Sequence, residues 1–178
     1  MRKLSIDDLG RKTAAEFKNS KKFPLILVLD NVRSMMNTGS LFRTADAFLL
    51  EAIYLCGITA TPPHREIQKT ALGATESVSW LYFESTIDAV KKLKEDGYEV
   101  FALEQATNSV GLQDFFPERG KKYALILGNE VKGVGEEALE LCYGCIEIRQ
   151  FGTKHSLNVA VSGGMVVWDF FSKLSKQG

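Results

Sequence analysis

Residues Cys145 to Phe170 read CIEIRQFGTKHSLNVAVSGGMVVWDF, and this stretch decides the fold. Cys145–Ile148 alternates in polarity as a short strand. Arg149–Ser156 is a polar, basic loop containing glycine. From Leu157 the chain becomes a long apolar run rich in small residues, a helix for which His155 or Ser156 can supply the cap. A strand that opens through a polar loop into a helix is the repeating unit of α/β proteins. Its loop amides and helix N-terminus face the crevice beyond the strand ends, where such proteins bind ligands. Ala160, Ser162, Gly163 and Gly164 leave room for another backbone to come close.

The same alternation extends upstream. Leu25–Leu29, Ala52–Leu55, Val78–Phe83, Tyr98–Leu103 and Tyr123–Leu127 are apolar runs of strand length, the first continuous enough for burial on both faces. Helical patterns lie between them. One is opened by Thr38 and Gly39 and runs to about Leu50. The others cover Glu66–Leu72, Thr86–Glu95 with Ser85 and Asp88 as a capping box, and Glu136–Leu141. Strands alternating with helices predict a mostly parallel sheet flanked by helices on both faces. No repeat or linker divides the chain. Residues 1–22 read as a basic arm or helix, and residues 23–178 as a single domain.

The 178 residues carry 22 basic and 22 acidic side chains, a balance that excludes a uniformly basic nucleic-acid binder. The charge is unevenly placed. Residues 1–22 hold seven basic and three acidic residues, a net +4 on a mildly acidic body. Such a segment is either an arm that reaches phosphates or a solvated helix. No apolar run approaches the roughly 20 residues that span a bilayer. The opening MRKLSIDDLGRK lacks the apolar core of a secretory signal, so a cytoplasmic protein without a membrane partner is expected. Cys142 and Cys145 form a single CxxC. Without a second pair it reads as structural rather than metal-binding, so no metal is expected.

Three stretches carry candidate chemistry. The first is Asn31–Ala45, within DNVRSMMNTGSLFRTADA. Arg43 follows the Asn37-Thr38-Gly39 turn by about one helical turn and is suited to grip a phosphate in a fork. The second is Leu127–Val134, LGNEVKGV, a strand end followed by a glycine loop. It has neither the dinucleotide-binding spacing nor a phosphate-loop lysine. The third is Ser156–Ser162, SLNVAVS. Ser156 beside His155 is not a nucleophile–base pair, because chain neighbours rarely point at each other, and there is no GxSxG elbow.

Together, in this order, these stretches resemble the three motifs of the SpoU/TrmH class of SPOUT RNA 2′-O-methyltransferases. Lys69-Thr70-Ala71-Leu72-Gly73-Ala74 resembles a further family feature, and the resemblance covers roughly residues 24 to 173. It implies an α/β SPOUT fold with a C-terminal trefoil knot and a homodimer with its sites near the interface. The small, apolar face Ala160–Val167 would pack against the second chain. It also implies S-adenosylmethionine as cofactor and a ribose 2′-hydroxyl of a structured RNA as acceptor. With only a short arm before the domain, tRNA is favoured over rRNA. An RNA-binding module of the same fold without methyltransferase activity is the alternative.

By the same resemblance, Leu103, Glu104, Gln105, Gly128, Asn129, Ile148, Gln150, Gly152 and Leu157 belong to the cofactor loops, with Gly128 where backbone closely approaches the cofactor. Asn37, Arg43, Glu130, Ser156 and Asn158 form the catalytic set. Glu130 would hold Asn37 or Arg43 in place, or contact RNA. Ser156 and Asn158 would orient Arg43 and the ribose. Family accounts make the arginine a base. A guanidinium keeps its proton, so Arg43 is expected to anchor phosphate and stabilise developing alkoxide charge. The chain departs from the family at Arg149 and Gln150, where proline and methionine are usual.

Overall fold

The last six residues of β1 (Phe23–Asp30) are all buried. Leu25, Leu27 and Leu29 belong to one hydrophobic cluster, and Ile26 and Val28 to another. That two-sided burial is what a continuous apolar run means in a parallel sheet. The computed structural model describes residues 1–5 and 7–176. Ile6 in the expected arm and Gln177 and Gly178 at the end of the expected domain lie outside the described residues.

Before β1 come a 3-10 turn (Asp7–Leu9) and α1 (Ala14–Asn19). After it run α2 (Met35–Ala47), β2 (Leu50–Cys56), α3 (Arg65–Ala71), α4 (Ala74–Ser77), β3 (Trp80–Phe83), α5 (Thr86–Glu95), β4 (Tyr98–Leu103) and β5 (Val110–Gly111). A second 3-10 turn (Leu112–Asp114), β6 (Lys122–Leu127), α6 (Glu136–Glu140), β7 (Gly144–Glu147) and α7 (Val159–Ser175) complete the order. The strands form one seven-stranded sheet in the order β3-β2-β1-β6-β4-β7-β5. Each neighbouring pair is parallel.

Helices cover both faces. Phe17 of α1, Leu41 and Phe42 of α2, Ile67 of α3 and Val166 and Phe170 of α7 join the cluster on one face. Ala89, Val90 and Leu93 of α5 and Ala138 of α6 join the other. The register sets Leu29, Leu127, Leu103 and Ile146 side by side. The loops after β1, β6, β4 and β7 therefore leave the sheet along one line, as ligand-binding loops of open parallel sheets do.

Several local expectations are corrected. Helix α2 begins at Met35, not at Thr38, because the Ser34 hydroxyl caps it by accepting from the Asn37 amide. Arg43 thus lies eight residues past the first helical position, about 12 Å along the axis at roughly 1.5 Å per residue. Ser85 caps α5 by accepting from the Ile87 amide, and among the described residues its own amide makes no return bond to Asp88. The reciprocal capping box belongs instead to α1, between Thr13 and Glu16. Neither His155 nor Ser156 caps α7; Asn158 does, accepting from the amides of Ala160 and Val161.

Among the small residues of α7, Gly163 faces inward. A Cβ on Gly163 would come within 2.6 Å of Leu41 Cδ2 and 2.9 Å of Leu127 Cδ1, so this glycine lets α7 lie on its own α2 and β6. The outward side of α7 carries large residues, with Val161 53%, Met165 43% and Trp168 59% exposed.

The N-terminal segment is partly docked. Phe17 is only 3% exposed. Lys22 lies over its ring, 3.6 Å from the centroid, and donates to its carbonyl. Arg2 pairs with Asp8.

Candidate functional site

A cavity of about 520 Å³ opens where the loops after β4, β6 and β7 leave the sheet. Its wall takes Leu103, Glu104 and Gln105 from the end of β4 and Leu127 to Val134 from the β6–α6 loop. The β7–α7 loop adds Ile148, Gln150, His155, Ser156 and Leu157. Of the expected cofactor residues, Leu103, Glu104, Gln105, Gly128, Asn129, Ile148, Gln150 and Leu157 are brought together here. Gly152 is not in the wall; it is exposed in the β7–α7 loop, with open space where a side chain would project.

The β6–α6 loop is a tight reversal. Asn129 and Gly133 exchange backbone hydrogen bonds of 3.0 and 2.9 Å. The Asn129 side-chain oxygen accepts from the amides of Val131 and Lys132. Gly133 has φ +69°, a conformation that glycine adopts without steric cost. A Cβ on Gly128 would stand 2.2 Å from the Gly133 carbonyl carbon and 2.3 Å from the Val134 nitrogen. Gly128 was expected where backbone approaches the cofactor; the atoms that crowd it are those of the chain's own reversal.

Three carboxylates fasten this loop to its neighbours. Asp30, 4% exposed at the end of β1, accepts from the Gly135 amide at 2.9 Å. Glu104, after β4, accepts from Val134 at 3.1 Å and from Gln105 at 2.8 Å. Glu130, inside the loop, accepts from the amides of Arg33 at 2.9 Å and Ser34 at 3.0 Å, and from the Asn37 side chain at 3.2 Å. Asn37 in turn accepts from Asn158 at 3.1 Å. Gln105 donates to the His155 carbonyl at 3.1 Å, tying in the β7–α7 loop.

Burial opposes ionisation of Glu130, but the amides of Arg33, Glu130 itself and Ser34, with the Asn37 side chain, hold its carboxyl below the ordinary range. Burial, and then the charge of Glu104, raise the Cys145 thiol. Burial, and then Cys145, push Cys142 up to about 12. Both cysteines are free. Among the described residues, no group of three or more His, Cys, Asp or Glu side chains is placed to hold a metal, and no helix is long and apolar enough to cross a membrane.

Asn37, Glu130 and Asn158 thus form one network, and Ser156 stands in the cavity wall nearby. Arg43 is not brought to them. It is exposed in a separate depression with Ser40, Thr44, Ala47, Phe48, Lys69 and Thr70. No hydrogen bond or ion pair joins it to Ser156 or Asn158 among the described residues. Asp46, a partner that sequence proximity suggests for it, instead accepts from Ser77 at 2.5 Å. Arg149 lies 3.6 Å from Glu147 and 3.7 Å from Asp114, so its added charge is balanced at the rim. The tie made by Asp30 was not anticipated. An acidic residue ending a buried strand is the one sequence sign that marks it.

Comparison with known proteins bears on what this arrangement serves. The 23S rRNA (guanosine-2′-O-)-methyltransferase RlmB of Neisseria meningitidis is 30% identical over 150 residues, 84% of this chain and 59% of that protein. The tRNA (guanosine(18)-2′-O)-methyltransferase of Aquifex aeolicus is 28% identical over 171 residues, 94% of this chain and 78% of that one. An AdoMet-bound rRNA methyltransferase structure from Sinorhizobium meliloti superposes with a TM-score of 0.80 at 26% identity, over 89% of this chain and 60% of that one. The chain spans 59% to 67% of the length of the first curated relatives it matches. The model of the SpoU rRNA Methylase family matches residues 24–168, which contain every loop of the cavity, and the chain belongs to that family.

Proposed function

We propose that this protein transfers a methyl group from S-adenosylmethionine to a ribose 2′-hydroxyl of a structured RNA, in the cytoplasm and as a homodimer. The observation that carries the reading is the cavity. The second and third motif loops bound it, and Glu130 and Asn158 tie them to the first. Its volume of about 520 Å³ lies in the range of small-molecule sites. Leu103, Leu127, Ile148, Leu157 and Val159 offer an apolar lining for a flat base, and the loop backbones offer polar groups at its edge. These residues fit the cofactor.

S-adenosylmethionine supplies an electrophilic methyl group on a sulfonium. The chain's own part is positioning, which accounts for much of the rate in such displacements. Glu130, Asn37 and Asn158 hold the β1–α2 loop, the β6–α6 loop and the start of α7 in one arrangement. Ser156 contributes a hydroxyl at the cavity wall. Arg43 anchors an RNA phosphate and stabilises charge that develops on the 2′-oxygen.

The exposed stripe of Val161, Met165 and Trp168 supports the homodimer. Trp168 contacts Phe48 at the end of α2, so a partner seated on the stripe comes close to the Arg43 depression. The family's knotted C-terminal crossing belongs to the same reading: after β7, α7 returns across the sheet to lie on α2 and β6. Preference for tRNA is supported by the match to the Aquifex aeolicus tRNA enzyme, which covers more of both chains than the match to the Neisseria rRNA enzyme. The basic side chains of residues 1–22 supply further phosphate contacts.

The test is transfer of labelled methyl from S-adenosylmethionine to tRNA and rRNA transcripts, with nucleoside analysis of the product. A 2′-O-methylated nucleoside in tRNA is expected. RNA binding with no transfer to either RNA gives the alternative, a binding module on the same fold.

A further inference from the structure

We propose that Glu104 determines which charge state of the cofactor the cavity takes, favouring the cationic S-adenosylmethionine over its neutral demethylated product. The proposal rests on the methyltransferase reading above. Glu104 is half-buried in the cavity wall, and its oxygens meet two backbone amides, those of Gln105 and Val134. Both donors are neutral. Among the described residues no lysine, arginine or histidine lies within ion-pair distance of it.

The other carboxylates around the cavity are placed differently. Glu147 faces Arg149, while Glu130 and Glu136 are exposed to solvent, Glu130 turned to the β1–α2 loop. Among the described residues, Glu104 is therefore the one negative charge in this wall that is both partly withdrawn from water and without an ion-pair partner. Such a charge acts more strongly on a neighbouring ligand than an exposed one does.

Its position is also fixed. A Cβ on Gly133 would lie 2.2 Å from Glu104 Oε2, so the carboxylate occupies the space under the reversal that glycine leaves open. The side chain thus has two separable duties: its length spans from β4 to the Val134 amide, and its charge faces a cavity that must distinguish two ligands differing by one methyl and one positive charge. Substrate and product are otherwise nearly the same shape, so charge is the property by which a wall can tell them apart. A site that releases neutral product more readily than it releases cationic cofactor turns over without product blocking it.

Two substitutions separate the duties. Glu104→Gln keeps the length and removes the charge. Glu104→Asp keeps the charge and is one methylene too short to reach Val134. The experiment is calorimetric titration of the wild type and both variants with three ligands: S-adenosylmethionine, S-adenosylhomocysteine, and sinefungin, whose amine restores the positive charge without a transferable methyl. Thermal unfolding of each variant accompanies it.

Glu104→Gln is expected to weaken S-adenosylmethionine and sinefungin about tenfold relative to S-adenosylhomocysteine, the size of one partly screened charge pair. Glu104→Asp is expected to weaken all three together and keep their order. Equal loss of all three in Glu104→Gln, or no loss at all, overturns the proposal and leaves Glu104 a purely structural tie. If Glu104→Gln does not fold, the wild type decides: its preference for sinefungin over S-adenosylhomocysteine must fall as salt is raised, and a salt-independent ratio overturns the proposal. A wild type that binds none of the three ligands overturns the methyltransferase reading itself.

Discussion

The two halves of the candidate site differ in how far they are finished. Around the cavity, Asp30, Glu104 and Glu130 each accept backbone amides from another part of the chain, and two asparagines and a glutamine add further ties. Around Arg43, the guanidinium is exposed, and the nearest polar side chains are bonded elsewhere: Thr70 to the Met36 carbonyl and Lys69 to Glu66. The first half is built to receive a small ligand without rearranging, which spares the entropic cost of ordering loops on binding. The second half is an open surface that, on the reading proposed above, the RNA completes. If the proposed reading holds, cofactor recognition and RNA recognition can be broken independently.

The largest effect is expected at Gly128. Valine there places a branched side chain against the Gly133–Val134 backbone, which cannot yield as a flexible side chain would. Displacing the reversal should abolish measurable cofactor binding in calorimetry and lower stability by about 3 kcal/mol or more, roughly 6–12 °C in Tm for a domain of this size. Normal cofactor affinity in a folded Gly128→Val protein would break the comparison at its rigid half.

Next comes Arg43. Arg43→Ala should slow single-turnover methylation by about 10² to 10³, the loss typical of removing a donor aimed at developing charge. Cofactor affinity and Tm should stay near wild type, because among the described residues this side chain makes no hydrogen bond or ion pair. Arg43→Lys should recover little, since an ammonium lacks the fork. A lost cofactor affinity in Arg43→Ala would merge the two halves that the structure keeps apart.

The smallest effect is the pH dependence of the ties. The folded-state pKa of Glu130 is depressed, so its contribution to stability is present above the ordinary value of 4.5 and is lost as pH falls through the folded value below it. Thermal unfolding followed from pH 6 down to about pH 3 should show a wild-type decline below pH 4.5 that is shallower in Glu130→Gln. Superimposable pH profiles would mean that the Glu130 bonds do not stabilise the fold.

How much of this could be read beforehand depended on the range of the interaction. Strand runs such as Leu25–Leu29 and Tyr98–Leu103 announce themselves locally, because burial on two faces leaves a continuous apolar signature. The family motifs likewise drew attention to Asn37, Glu130 and Asn158. What was missed depends on partners far along the chain or on one hydroxyl. Ser34 rather than Thr38 starts α2. The two-residue β5 has too little sequence to show a pattern. Gly163 reads as a contact for another chain until Leu41 and Leu127 are seen against it. That Gly128 also packs against the Gly133–Val134 backbone of its own chain could not be read locally.

The ties that join the loops reach far along the chain. Glu130 and Arg33 are 97 residues apart, Gly135 and Asp30 are 105 apart, and Asn158 and Asn37 are 121 apart. Contacts of such separation form late, since the loops they close must first lose their freedom. On the ribosome, the strands near the start can collect long before Asn158 has been made. Glu130 is made before Asn158, so the β1–α2 loop meets its carboxylate first and the start of α2 is tied to α7 only when Asn158 follows. The cavity draws its wall from the loops after β4, β6 and β7 and from α7, so a nascent chain is expected to close it only once α7 has followed.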